Sequence, residues 1–429
     1  MPSRFVGGVA KQRVQVVAVN HSKPIGLSYG EKNWFSCRID SRRVVAIHST
    51  PRSIRNLTDK LCSVLEHPLD FPPLEQAIVP GDRIVLVLDP QMPGATIVVA
   101  ETWKILKRQD INPKDVVIIQ PVSLNPSKLS EPRSKLPEHI RRDMVWKIHD
   151  PTKDHDSIYL ASTSSGERIH LAREVVEADF IIPIGSVAFD PVLGYRGTSS
   201  VLYPGLSSSK AISRAHGQGH RELGPDDERP LRQLIDEIAG LLGIQFAIQV
   251  IAAGGGGVAN ILAGSPDSVF QRGKQLLAEH WMVHLDTRPE IIVAAVDSDA
   301  AGHSWPQIGA ALATARNLVA KDGKIIILSS LDEDLTEGLR MIQACQSPRD
   351  AIKPLRTRTP PDLIAATQLA NAVDWAYVYL LSNLDGNLVE DLFISPIKNE
   401  QEVKQLLSHD ESCAFLGAAQ HTYGLLRSA

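Results

Sequence analysis

An apolar run from Arg83 to Leu88 (RIVLVL) stops at Asp89, and a loop with two prolines then leads into a helix-periodic stretch, 95–108. The next buried run, Val116 to Ile119, follows at once. Short apolar strands alternating with amphipathic helices predict a parallel sheet covered by helices. Ligands of such sheets bind beyond the carboxyl ends of the strands, which nominates Asp89, the loop after Ile119 and the loop after Ile184. The pattern restarts at Ile291 to Val296 (IIVAAV), with a helix over about 306–320 and a strand at 324–328. A chain of 429 residues exceeds one ordinary core. The polar stretch Thr287 to Glu290 therefore predicts a boundary between two α/β domains, 1–286 and 287–429, each a mostly parallel sheet flanked by helices, with a ligand cleft between them.

Other segments fill in this outline. Val14 to Val19 and Arg43 to Ile47 read as strands, and Ser53 to Leu65 as a helix. A helix at 171–178 leads into a strand at 179–184 (DFIIPI), and a helix over 226–242 precedes strands at 246–252 and 258–262. The four glycines between those strands lack the Lys-Ser/Thr of a phosphate loop, so they predict a hairpin turn using positive φ. Ser265-Pro266 predicts a helix start, with the helix running to about His284.

Composition narrows the partners. The net charge of −4 comes without a sustained basic stripe, which argues against nucleic acid. The most apolar stretch, 241–264, contains Gln245, Gln249 and the tetraglycine, so no membrane span is expected. Cys37, Cys62, Cys345 and Cys413 are scattered without zinc or redox spacing and read as reduced thiols. With no apolar leader in the first residues, a cytoplasmic setting is expected.

The most informative segment is Gly185 to His216, GSVAFDPVLGYRGTSSVLYPGLSSSKAISRAH, a glycine-punctuated loop with a Pro-Gly helix start after a strand. It resembles the cofactor segment of the nickel-pincer lactate racemase family, G-x4-H-x3-G-[FY]-S-G-G-x-K-x3-PG with a histidine eleven residues later. The resemblance extends from about Ile84 to about Leu384. In that family a lysine carries a pyridinium thioamide cofactor, one histidine ligates nickel, and two more act as acid and base. The resemblance places the metal ligand on His216, the aspartate of a D-x-x-R-P loop on Asp89, and a substrate-contacting glutamine on Gln307. It places Tyr195 and Gly197 in the cofactor frame, with Gly194, Pro204 and Gly205 also kept. The cofactor lysine falls on Ser200, the acid/base histidines on Leu124 and Asp190, the loop arginine on Met92, and a second substrate cation on Ala310. His149 matches a further family histidine.

Serine has no amine for the family's link, and leucine cannot move a proton in steps typically worth roughly 10²–10⁴-fold. The nickel-pincer nucleotide is therefore not expected, and the sequence leaves open any other cofactor and whether a metal binds. Asp190 and Asp89 remain catalytic candidates, although Asp190 before Pro191 also reads as a turn cap. His216 reads either as a metal ligand, with His220 nearby, or as a helix-ending histidine. His280 and His284 read as lying on one helix, where His280 shares a stripe with Val269, Leu276, Leu277 and Trp281, which predicts core packing. The cluster His149-Asp150 with Asp154, His155 and Asp156 fits a metal site or an Asp-rich turn. Ser207 to Ser209 would present helix-start N–H groups to an anion. Lys353, Arg356 and Arg358 form a local basic cluster, with Arg358 a candidate for substrate binding.

These residues predict a divergent relative that keeps the scaffold without pincer-dependent racemisation and binds a small anionic metabolite. Its cleft would be lined by Asp89, Asp190, Tyr195, Ser200, His216 and Gln307. The alternatives are an active racemase or epimerase of a 2-hydroxy acid or related substrate, with or without nickel, and a regulatory partner of a racemase paralogue. The sequence does not specify whether catalysis survives or how many chains associate.

Overall fold

The computed structural model describes residues 24–123, 129–217, 224–299 and 302–427. Two six-stranded sheets organise them. The first runs Val258–Gly264, Ala247–Ala252, Phe180–Ser186, Ile84–Leu88, Val116–Gln120, Val145–Ile148, and only its first pair is antiparallel. The second runs Ser395–Ile397, Tyr377–Leu381, Lys324–Leu328, Ile291–Ala295, Cys413–Leu416, Val44–His48, and every pair is parallel. In the strands Ile84–Leu88 and Ile291–Ala295 all five residues are buried. A parallel strand covered on both faces needs apolar residues at every position, which is why these runs do not alternate.

Helices supply the cover. Ala95–Arg108 forms over the expected span and packs Val98, Val99, Trp103 and Leu106 into the core with Leu86 and Ile184. Trp305–Leu318 does the same in the second unit, burying Ile308, Leu312 and Ala315. The tetraglycine closes the antiparallel pair with Gly255 and Gly256 at φ 66° and 69°. The hairpin expectation holds there, and positive φ is the reason glycine is used.

Several expectations need correction. The strand Val44–His48 belongs to the second sheet, where it pairs with Cys413–Leu416, so the N-terminal portion crosses over rather than staying with the first sheet. The first helix starts at Leu57, with the Asn56 side chain accepting from the Asp59 N–H, not at Ser53. The helix from Pro266 ends at Trp281, and His284 lies on the strand Met282–Leu285, so His280 and His284 do not share a helix. Pro204-Gly205 does not open a helix. The helix is Ser209–His216, capped by Ser208. The expected strand at 14–19 lies outside the described residues.

Leu86 is fully buried on a central strand of the first sheet. Leu86→Ala should lower the unfolding free energy by about 2–5 kcal/mol in urea titration. A loss below about 1 kcal/mol would contradict this account of the core.

Candidate functional site

The carboxyl ends of the two sheets converge on one cleft. From the first sheet come Ser186 and Ala252. From the second come Asp299 after the strand Ile291–Ala295, and Gln420 and His421 after the strand Cys413–Leu416. One chamber, about 410 Å³, also takes Gln307 and Trp281 into its wall. A second, about 430 Å³, lies beside Asp89, Pro121, Ser200 and Pro204. Ser186, Asp190, Arg196 and Pro361 border both.

The loop after Ile184 is more ordered than the sequence suggested. Ala188–Asp190 and Gly194–Arg196 form a small antiparallel hairpin, with Ala188 opposite Arg196 and Asp190 opposite Gly194. Period-two alternation then puts Asp190 and Arg196 on one face and Phe189 and Tyr195 on the other. Gly194 sits at φ 74°, and a Cβ there would overlap the Pro225 carbonyl oxygen. Glycine is required by both conformation and space.

Each nominated residue can now be located. Asp89 Oδ1 accepts from the Gln91 N–H at 2.9 Å and Oδ2 from the Ser186 N–H at 3.4 Å, tying two neighbouring strand ends together. Asp190 Oδ1 accepts from Val192 and Leu193 N–H, both at 2.8 Å, so the turn-capping reading is correct even though the residue also borders the cleft. Tyr195 does not line either chamber. It is buried, its hydroxyl donates to Asp226 at 3.3 Å, and the Lys274 ammonium stands 4.4 Å over its ring. Burial, with Asp226 beside it, pushes its phenol pKa up.

Gly197, at φ 148°, donates its N–H to the Ser200 hydroxyl at 2.9 Å. Gln307 lines the first chamber. Arg358 is exposed at the end of the helix Pro348–Arg358 and borders neither chamber. His216 ends the helix Ser209–His216, and its side chain lies outside what is described, as do Leu124 and His220.

The remaining polar motifs are structural. His149 is fully buried and pairs through Nε2 with the Ser207 carbonyl at 3.0 Å. Asp150 Oδ1 accepts from the Thr152 N–H and hydroxyl, which makes that cluster a turn. Ser207 and Ser209 donate their hydroxyls to the carbonyls of His170 and Pro151. Among the described residues no cluster of three or more His, Cys, Asp or Glu could hold a metal.

Sequence reasoning missed Arg196, Ser186, Asp299 and His421. Arg196 did leave a signal, since it stands where the family pattern has serine. Asp299 follows a strand's carboxyl end, but nothing in the sequence marks His421.

The cleft contains unsatisfied buried polar atoms: Arg196 Nε, Ser186 Oγ, and both Oε1 and Nε2 of Gln307 have no hydrogen-bond partner among the described residues. Gln307 is 6% exposed and Ser186 5%. Buried polar groups are nearly always paired, so a cluster of exceptions needs explaining.

Residues 29–223 match the family model for the lactate racemase N-terminal domain. The lactate racemase of Thermoanaerobacterium thermosaccharolyticum is 20% identical over 292 residues, 65% of this chain and 68% of that protein. The structure of the lactate racemase apoprotein from that organism superposes with a TM-score of 0.76 at 17% identity, covering 95% of this chain and all of the other. The fold of this chain is lactate racemase-like. A Thermotoga maritima protein of known structure is also similar, with a TM-score of 0.62 at 12% identity over 89% of this chain.

The residues present do not fit the family's covalent cofactor. Ser200 offers a hydroxyl engaged with backbone in place of an amine. Met92, at the arginine's place, is buried in the first core and cannot serve a ligand carboxylate. Ala310 lines the first chamber where the family has a cation.

Burial depresses the pKa of His48, His280, His284 and His421 below the ordinary histidine value. The unfolded chain then binds protons that the folded chain refuses. Stability should be fully present above about pH 6.5 and decline as the pH falls through that value. Urea titrations across that range should show the decline, and His48→Gln should reduce its slope. An unchanged slope in the variant would contradict the burial of a neutral imidazole at that position.

Proposed function

We propose that this chain binds a small anionic metabolite in the cleft between its two sheets and does so without the covalent nickel-pincer nucleotide. The observation carrying this reading is Arg196 at the junction of the two chambers, its Nε buried and unpaired beside the equally unpaired Ser186 Oγ. A guanidinium is a planar fork matched to carboxylate or phosphate. It stands where the resembled family has a serine, while that family's substrate cations are replaced by Met92 and Ala310. Recognition of charge has moved to the hairpin in this reading. Gln307, with both amide atoms free, adds a donor and an acceptor from the second unit.

The two-domain division belongs to the same proposal, with one unit on each sheet and the cleft as their meeting place. A cytoplasmic setting fits as well. No helix among the described residues is long and apolar enough to cross a membrane, and Cys37 and Cys413 are free thiols.

Calorimetric titration with lactate, pyruvate and inorganic phosphate tests the binding. At least one anion should bind, and Arg196→Ala should weaken it by about 1.5–3 kcal/mol, roughly 10–150-fold. Arg358→Ala should leave it unchanged if the exposed helix end takes no part. Intact-mass and metal analysis of the purified protein should find no nickel-bearing adduct. Racemisation of lactate by the unmodified protein would overturn the proposal.

A further inference from the structure

The first chamber also holds a titratable pair that anion binding alone does not use. The strands Ile291–Ala295 and Cys413–Leu416 are parallel neighbours, and their carboxyl ends bring Asp299 and His421 together. His421 Nε2 lies 3.4 Å from Asp299 Oδ2, with the side chains 18% and 12% exposed. Gln420 holds the arrangement, its Nε2 donating to the Asp297 carbonyl at 3.0 Å and to Asp299 Oδ2 at 3.4 Å. The Trp281 ring packs 5.2 Å from the imidazole, and the Trp281 N–H is fixed on the Ala252 carbonyl. With Nε2 turned to the carboxylate, Nδ1 is the ring nitrogen left for a ligand.

The charged groups acting on His421 are Asp299, Asp297 and Arg196, and burial outweighs them in favouring the neutral ring. A neutral imidazole oriented by a carboxylate is equipped to accept a proton. Gln307 and Arg196 line the same chamber. Val187, Phe189, Leu277 and Ile364 give it an apolar wall.

We infer that His421, oriented by Asp299, is a general base that enolises a short 2-oxo acid bound in this chamber. The inference rests on the binding reading above. Arg196 pairs with the substrate carboxylate. His421 Nδ1 takes a proton from the carbon next to the ketone, and the C–H electron pair moves onto the ketone oxygen to give an enolate. The Gln307 amide N–H and the Ser186 hydroxyl donate to that oxygen. Return of the proton restores the ketone, so the cycle balances without oxidant or reductant. A ketone is required because an imidazole, a weak base, can take a carbon-bound proton only where the resulting charge delocalises onto a neighbouring carbonyl. The apolar wall favours acids with a hydrocarbon side chain.

Pyruvate and 4-methyl-2-oxopentanoate incubated with the protein in D2O would show the chemistry as loss of the C3 proton signal by NMR. Binding of the same two acids is measured in parallel by calorimetry. Exchange should exceed the protein-free rate and fall about 10²–10⁴-fold in His421→Gln, while binding of the acid changes little. Asp299→Asn, at a positioning residue, should shift the pH profile of exchange. His421→Asn with a melting curve controls for misfolding. Binding without exchange, or exchange at the unmodified rate in both His421 variants, would refute the base and leave the binding site standing. If lactate or phosphate bind and neither 2-oxo acid does, the substrate class is refuted. If no anion binds, both readings fail.

Discussion

The cleft exists because two sheets abut at their carboxyl ends, and one buried carboxylate bridges them there. Asp297, 5% exposed, accepts the Gly255 N–H at 2.7 Å through Oδ2 and the Ser298 N–H at 2.8 Å through Oδ1. The first bond links the tetraglycine of the first sheet to the strand end of the second. Glycine is needed at two levels there. Gly255 holds positive φ, and a Cβ on Gly257 would overlap the Ser53 hydroxyl. The chain before the first sheet is therefore threaded against the loop, on its way from the strand Val44–His48 to the helix Leu57–Glu66. A phosphate loop would turn such N–H groups toward a ligand; here one of them is spent on Asp297.

What was legible in the sequence was what periodicity encodes locally. The strands at 84–88, 116–120 and 291–295 and the helix Ala95–Arg108 were readable because full burial and a 3.6-residue stripe leave their mark on each segment alone. The crossing of Val44–His48 to the second sheet was not readable, since a short apolar run does not say which sheet it joins. The helix start was misread at Pro204-Gly205. Proline is favoured in a first turn, but the Ser208 hydroxyl accepting the Ala211 N–H sets the real boundary. The helix from Pro266 was overrun because Met282 to Leu285 continues an apolar pattern into a strand that pairs with Tyr423–Leu426.

The site was half legible for the same reason. Resemblance transfers positions, so Asp89, Asp190, Ser200 and Gln307 all fell at or beside the cleft. Tyr195 was misplaced because its ring is buried beneath the Lys274 ammonium and its hydroxyl turns to Asp226, contacts that a motif written as a line of letters does not carry. His421 lies 122 residues beyond Asp299 in sequence, and only the pairing of two parallel strands brings them to 3.4 Å. Residues recruited by sheet order leave no local trace.

The proposed anion site is ringed by carboxylates, and each of these acids has donors of its own. Asp190 Oδ1 takes two backbone N–H groups, Asp89 takes two, and Asp297 takes two. Asp299 is held by Gln420 and faces His421. Each of these carboxylates is engaged by donors of its own, so none depends on Arg196 for a partner. Arg196 Nε has no hydrogen-bond partner among the described residues. A half-buried guanidinium whose Nε has no partner is a donor that a bound anion could satisfy. That unpaired donor, more than the preserved glycine frame, is what supports the proposed binding of an anion in this cleft.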